Sequence, residues 1–215
     1  MPRKEVIAPM GYKPISSYAV VGNTHTAALV GLDGSIDWCC FHRFDSPSVF
    51  AAILDDRKGG RFKIEPAENY GSVQTYLGDT NVLVTRFRTA TGSAELIDFM
   101  PCYVGATGRL RVYDEIHRIL RCQEGRIAFK VLFQPRFNYA RSDCHWSLSP
   151  RAIVAEADGE LLTLGSPVTL ALETDVAQAR FVLQEGQEAA FVLSYRYGRQ
   201  GLYKEGRSQV KLEKT

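Results

Sequence analysis

Asp33, Asp37 and Asp45 lie close together, and Trp38, His42, Arg43 and Phe44 are interspersed among them. Two carboxylates flanking a sugar–oxygen bond are what acid–base hydrolysis of a glycoside requires. A chain with 24 acidic residues places such pairs together by accident, however. Asp33, standing before Gly34, reads instead as a turn residue whose carboxylate caps nearby amides. Asp37 and Asp45 read as acceptors that hold a loop in shape for backbone or arginine donors. Trp38 offers a face that stacks on a sugar or on a partner domain, and Arg43 a fork that fits a carboxylate. The same residues read equally as a core tryptophan and a buried brace.

Other chemistries find little support. His25, His42, His117 and His145 do not combine with the cysteines into a spaced metal signature, and Cys144-His145 alone is weak. No serine sits in a Gly-x-Ser-x-Gly elbow, no cysteine has an activating neighbour in sequence, and no glycine-rich phosphate loop occurs. No cofactor is implied. The 26 basic and 24 acidic side chains leave a net charge of +2 with no run of five like charges, so nucleic acid is not implied either. The densest basic stretch, Arg136 to Arg141 around Phe137 and Tyr139, reads as a solvated strand end.

The elements that must position these residues are strands. Short apolar runs alternate with turn signals, and Asp33-Gly34, Thr91-Gly92, Glu124-Gly125, Asp158-Gly159 and Glu185-Gly186 each sit between two runs, where glycine supplies the positive φ of a hairpin. Ile127, Phe129, Val131 and Phe133 face one way while Ala128, Lys130 and Gln134 face the other, the period of a half-buried strand. Val168, Leu170 and Leu172, then Phe181 and Leu183, then Phe191, Leu193 and Tyr195 repeat it. One short helix is expected at Ser46, with Pro47 in its first turn and Val49 to Leu54 as its body, ended by Gly59-Gly60; a strand over Arg61 to Glu65 follows. Ala67 to Ser72 reads as a surface loop. The fold class is therefore all-β, an antiparallel, supersandwich-like β-sandwich with at most short helices.

Three segments are expected: an extension over residues 1–13, a β-sandwich over 14–197, and a polar tail or truncated linker over 198–215. The first thirteen residues carry Pro2, Pro9 and scattered charges and no secretion signal, and no apolar run is long enough to span a membrane. Cys39, Cys40, Cys102, Cys122 and Cys144 are odd in number and irregular in spacing, which fits free thiols in a reducing cytoplasm.

The segment from Pro14 to Leu54 contains Asp33-Gly34-Ser35-Ile36-Asp37-Trp38, then Arg43-Phe44-Asp45-Ser46, then Phe50-Ala51. In order and spacing these resemble the DGSIDW, RFDS and FA elements that open bacterial and archaeal glycoside hydrolases of family 15, the glucoamylase and trehalase family. Tyr76-Leu77, Asn81-Val82-Leu83, Thr85-Arg86-Phe87, Asp98-Phe99-Met100-Pro101 and Gln134-Pro135-Arg136-Phe137 with Tyr139 extend the resemblance over roughly residues 14 to 196. Cys39-Cys40-Phe41-His42 departs from it, standing where the family has a more uniformly apolar stretch ending in proline.

The resemblance implies an amino-terminal, non-catalytic sandwich that packs on an (α/α)6 barrel. That barrel carries the two glutamates of an inverting α-glucoside hydrolase. No barrel pattern follows Arg196, so the chain alone is expected to be inactive. On the same ground, the loop Asp37, Trp38, His42, Arg43, Phe44 and Asp45 is expected to project toward barrel or substrate, with Phe41 contributing an apolar face. The implied partner is an α-glucoside, bound through the barrel, and in the isolated domain the loop is expected to be either mobile or covered by a neighbouring copy through self-association. The alternative, a stand-alone carbohydrate-binding or scaffold sandwich, would expose several aromatics on one strand face. Phe129, Phe133, Phe181 and Phe191 instead alternate as core residues do.

Overall fold

The computed structural model describes residues 12–149, 151–198, 208–213 and 215. Among them the chain forms β1 (Tyr18–Gly22), β2 (Ala27–Gly31), β3 (Ser35–Cys40), β4 (Ser48–Phe50), β5 (Arg61–Pro66) and β6 (Tyr70–Tyr76). Next come β7 (Leu83–Thr89), β8 (Gly92–Phe99), β9 (Cys102–Val104), β10 (Leu110–Val112) and β11 (Glu115–Gln134). A single turn, α1 (Phe137–Ala140), precedes β12 (His145–Ser149), β13 (Ala152–Ala157), β14 (Glu160–Gly165), β15 (Ala171–Glu173), β16 (Val176–Gln184) and β17 (Glu188–Tyr197). A short helix, α2 (Ser208–Leu212), completes the described elements.

Every strand pairing is antiparallel, and the expected all-β sandwich is what forms. One layer runs β1-β2-β3-β5-β11-β16-β15, with β4 on β3. The other runs β12-β13-β14-β17-β11-β8-β7-β6. Both layers share β11, a strand of 20 residues. Its first part, Glu115 to Arg121, pairs β17 and β8, and its second part, Arg126 to Gln134, pairs β16 and β5.

The crossing from one layer to the other lies where a hairpin was expected. Between Cys122 and Glu124 the pairing with β8 slips by one residue, a bulge that bends the strand without ending it. Gly125 does adopt the left-handed φ of +72°, but a Cβ there would meet the carbonyl oxygen of Thr91. Glycine is thus needed for a close approach between strands rather than for a turn. The other four glycine signals are hairpins: Gly34 joins β2 to β3, Asp158-Gly159 β13 to β14 and Gly186 β16 to β17 with the expected positive φ, whereas Thr91-Gly92 joins β7 to β8 without it, Gly92 instead leaving room for the carbonyl of Glu124.

Three further expectations are corrected. No helix follows Ser46: Ser48, Val49 and Phe50 are all buried as β4. Pairing with β3 and insertion of Val49 and Phe50 into the core outweigh their weak helix propensity. Val168 to Leu170 alternate in burial but run as a loop, with only Ala171–Glu173 paired. The surface loop after Ala67 ends early, because Tyr70 already pairs with Thr89. The strand expected from Arg61 is present as β5.

The alternating residues of β11 enter the core as read from the sequence, and Phe133 meets Trp146 of the opposite layer edge-on at 6.0 Å. Phe62 packs edge-on against Phe133 at 5.6 Å and against Phe191 at 6.5 Å, and Phe129 lies 5.9 Å from Phe181. These rings belong to β5, β11, β12, β16 and β17, so the aromatic cluster ties the two layers together. Each such side chain contributes about 1.5–3 kcal/mol on burial.

Candidate functional site

Period two along β3 and the turn before it puts Asp33, Ser35 and Asp37 on one side of the sheet. There the Lys13 ammonium donates to Asp33 Oδ1 at 2.7 Å, to Asp37 Oδ2 at 2.6 Å and to the hydroxyl of Ser35. One cation thereby uses all three of its donors on the Asp-Gly-Ser-Ile-Asp stretch. Tyr18 donates to Asp37 Oδ2 at 2.8 Å, and Arg61 Nε lies 3.6 Å from Asp37 Oδ1. Lys63 bridges Asp33 at 3.0 Å and Glu65 at 2.8 Å, and Glu65 accepts from Tyr70.

The electrostatics follow from these pairs. Burial alone would raise the Asp33 carboxyl, but Lys13 and Lys63 outweigh it and hold the group well below the usual carboxylate range. The Tyr18 phenol is pushed up, first by burial and then by Asp37. Asp33 and Asp37 are therefore paired carboxylates braced by one ammonium. Asp45 lies beyond them in an exposed turn, paired with Arg43 at 3.0 Å. The three aspartates do not form a facing acid–base pair over a common cleft.

Bulges aim the rest of the site. Between Ile36 and Trp38 the pairing of β3 with β2 slips by one residue, leaving Asp37 as the extra one. A second slip separates Cys39 from Cys40 against β4. Such irregularities turn side chains out of the regular alternation. Trp38 is half-buried and meets the ring of Tyr139 at 6.2 Å, while Arg141 caps the Tyr139 ring at 5.8 Å. Tyr139 stands in a turn wound left-handed, with φ of +50° at Asn138, +58° at Tyr139 and +61° at Ala140. Three consecutive non-glycine residues in this region store strain of the kind found where a side chain is held for a purpose.

Beyond Cys40 the turn divides. Phe41 is buried and stacks on Tyr195 at 5.3 Å, so it belongs to the core and not to an exposed apolar face as expected from sequence. His42, Arg43, Phe44 and Asp45 are exposed, Phe44 at 63%. His42 Nδ1 lies 3.3 Å from Asp114, which ties the turn to the entry of β11. The turn therefore presents a large ring flanked by an arginine fork, anchored from behind by Phe41.

Sequence reasoning missed the role of two further residues. Arg118 and Asp98 form a fully buried pair, with 2.7 Å between Nε and Oδ1. Arg118 also donates to the carbonyls of Gly34 and Phe62 and lies 4.7 Å above the Phe62 ring. The Asp-Gly turn is thus fastened from inside by Arg118 and from outside by Lys13. A charged residue inside an apolar run was the available signal for Arg118. All five cysteines are free thiols, and burial pushes Cys40 and Cys144 up to about 11. No helix among the described residues is long and apolar enough to cross a membrane.

With this geometry in place, comparison with known proteins defines the class. The chain matches the family described as trehalase-like, N-terminal, over residues 2–214, and it belongs to that family. It is similar to a trehalase of Thermoplasma volcanium, 30% identical over 95% of this chain and 33% of that protein. It is also similar to a trehalase of Mycobacterium tuberculosis, 31% identical over 86% of this chain and 30% of that protein. Trehalase 1 of Sulfolobus acidocaldarius is 42% identical over 60% of this chain and 20% of its own length. The chain spans about a third or less of each of these relatives.

Proposed function

We propose that this chain is the amino-terminal, non-catalytic domain of an inverting α-glucoside hydrolase of the trehalase type. It packs through the turn after β3 onto a helical catalytic barrel and shapes that barrel's substrate pocket. The observation that carries this reading is the exposed Arg43-Phe44 tip, held out by the buried Phe41 and by the tie of His42 to Asp114. An aromatic ring with an arginine beside it, anchored on a rigid base, is the composition of an interface core. Asp37 and Trp38 support the tip from the bulge of β3, and Asp45 keeps the Arg43 fork oriented. The trehalase names of the relatives favour trehalose over starch-like substrates. The domain itself binds the α-glucoside only through the barrel. The five free thiols agree with a reducing cytoplasm.

The test is a chimera in which this chain replaces the corresponding third of the Thermoplasma volcanium trehalase, assayed for glucose release from trehalose. Activity in the chimera, with kcat/KM or thermal stability lowered by Phe44→Ser and Arg43→Ala, is expected. An active chimera indifferent to both substitutions would return the tip to ordinary surface. The isolated chain should release no glucose from trehalose or maltose.

A further inference from the structure

We propose that helix α2 is a proton-released clasp: neutral His117 holds it on the outer face of the β7-β8-β11 layer, and acidification frees it. The face is apolar. Val82, Val84, Ile97, Phe99 and Ile119 form a buried cluster, and Leu212 of α2 packs against it. At the end of this cluster the His117 ring stacks on Phe99 at 5.0 Å and is sealed from solvent. Its two nitrogens reach different elements. Nε2 lies 2.8 Å from Glu115 Oε2, and Nδ1 lies 2.8 Å from Ser208 Oγ of α2.

A carboxylate only accepts, so Nε2 carries the hydrogen, and the free lone pair of Nδ1 accepts the Ser208 hydroxyl. Lys211 of α2 completes the clasp by pairing with the same Glu115 oxygen and lying 4.2 Å above the Tyr113 ring. Among the described residues, the charged groups facing His117 are thus Glu115 on its own strand and Lys211 on the helix. From β8 and β17 the ladder brings only Phe99 and Val192 opposite it. Farther along the face, Arg86–Glu95 and Arg121–Glu188 are already paired.

A proton on Nδ1 removes the acceptor that Ser208 uses and places a second cation beside Lys211, on a ring that is itself sealed from solvent. Burial accordingly holds the docked imidazole below its ordinary value, against the opposing pull of Glu115. Burial pushes Glu115 up, but its bonds to His117 and Lys211 prevail and keep it ionised. The sign follows by linkage. Because docking holds the ring below the ordinary imidazole value, near 6.5, the undocked state takes up the proton more readily. Docking is therefore fully supported at neutral pH and above and weakens as the pH falls.

Methyl NMR on the whole chain tests this, reading contacts between Leu212 and the methyls of Val84 and Ile97 from pH 8 to pH 5. The docking equilibrium constant should fall severalfold, by no more than about thirtyfold for one imidazole, while contacts within the core, such as those of Ile64 and Val131, persist. His117→Phe, which keeps the stack on Phe99 and cannot titrate, and His117→Gln are the two variants. Docking that no longer changes with pH in either, and survives at pH 5, supports the clasp. Three results overturn it: pH-independent docking in the unaltered chain, acid release that persists in both variants, or release at every pH in both. The last would make the ring an anchor and no switch.

Discussion

Asp98 and Arg118 face each other across β8 and β11 with neither side chain open to solvent, and the same guanidinium reaches the carbonyl of Gly34 at 2.7 Å. The pair connects the layer of β8 to the turn that begins the Asp-Gly-Ser-Ile-Asp stretch. Breaking it leaves a buried charge uncompensated. Asp98→Ala should therefore cost about 3–5 kcal/mol in denaturant unfolding, whereas joint replacement by Asp98→Leu and Arg118→Met should cost less than Asp98→Ala alone. A double variant at least as unstable as Asp98→Ala would show that the carbonyl bonds of Arg118, rather than its charge, hold the turn.

Two glycines with the same handedness separate strain from crowding. Gly125 and Gly186 have φ of +72° and +79°, but a Cβ on Gly186 would meet open space while one on Gly125 would strike the Thr91 carbonyl. Gly186→Ala should cost about 1 kcal/mol, the left-handed penalty alone. Gly125→Ala should cost at least about 2 kcal/mol, because β8 must also move. Equal losses in chemical unfolding would refute the close approach at the bulge.

These glycines mark how far the sequence could be read. Alternation and glycine turns made the strands legible, since Ile127 to Phe133 and the Asp158-Gly159 hairpin are local patterns. Gly125 misled because a bulge and a hairpin ask the same φ of the chain, and only the partner strand tells them apart. Val49 and Phe50 misled for a related reason: their strand conformation is set by β3 and by the core. Within the candidate site, the stretch from Asp37 to Asp45 was visible as a grouping, but its division into buried Phe41 and exposed Phe44 was not. Lys13, Arg118 and Tyr139 come from distant parts of the chain, and no spacing announces them.

Acid sensitivity should report the outer fastening of the turn. Lys13 and Lys63 hold Asp33 below its ordinary value, so its contribution to stability is present above the unfolded value near 3.9 and disappears as the pH falls below it. Lys13→Met removes the donor shared by Asp33, Ser35 and Asp37 and should destabilise the chain by about 1–3 kcal/mol at pH 7. It should also flatten the stability profile between pH 5 and pH 2. Thermal unfolding across that range checks both, and an unchanged profile would mean that Lys63 alone sets the carboxylate.

The left-handed turn at Asn138, Tyr139 and Ala140 makes a prediction of opposite sign. Ala140 is exposed and has φ of +61°, a conformation that disfavours any residue with a Cβ and that glycine adopts freely. Replacing alanine by glycine ordinarily lowers stability by roughly 0.5–1 kcal/mol, through the greater freedom of the unfolded chain. Here relief of the left-handed penalty, about 1–2 kcal/mol, should exceed that loss. Ala140→Gly is therefore expected to stabilise the chain by up to about 1 kcal/mol, a rise of about 2–4 °C in Tm for a domain of this size. Ala179→Gly, within the regular strand β16, is the control and should lower Tm. If the strained turn exists to hold Tyr139 against Trp38, the stabilised Ala140→Gly chain should also show a more mobile Tyr139 ring, read as weaker contacts between the two rings by NMR. A lower Tm for Ala140→Gly, matching the control, would show that the turn is not strained and that Tyr139 is not held at a cost in stability.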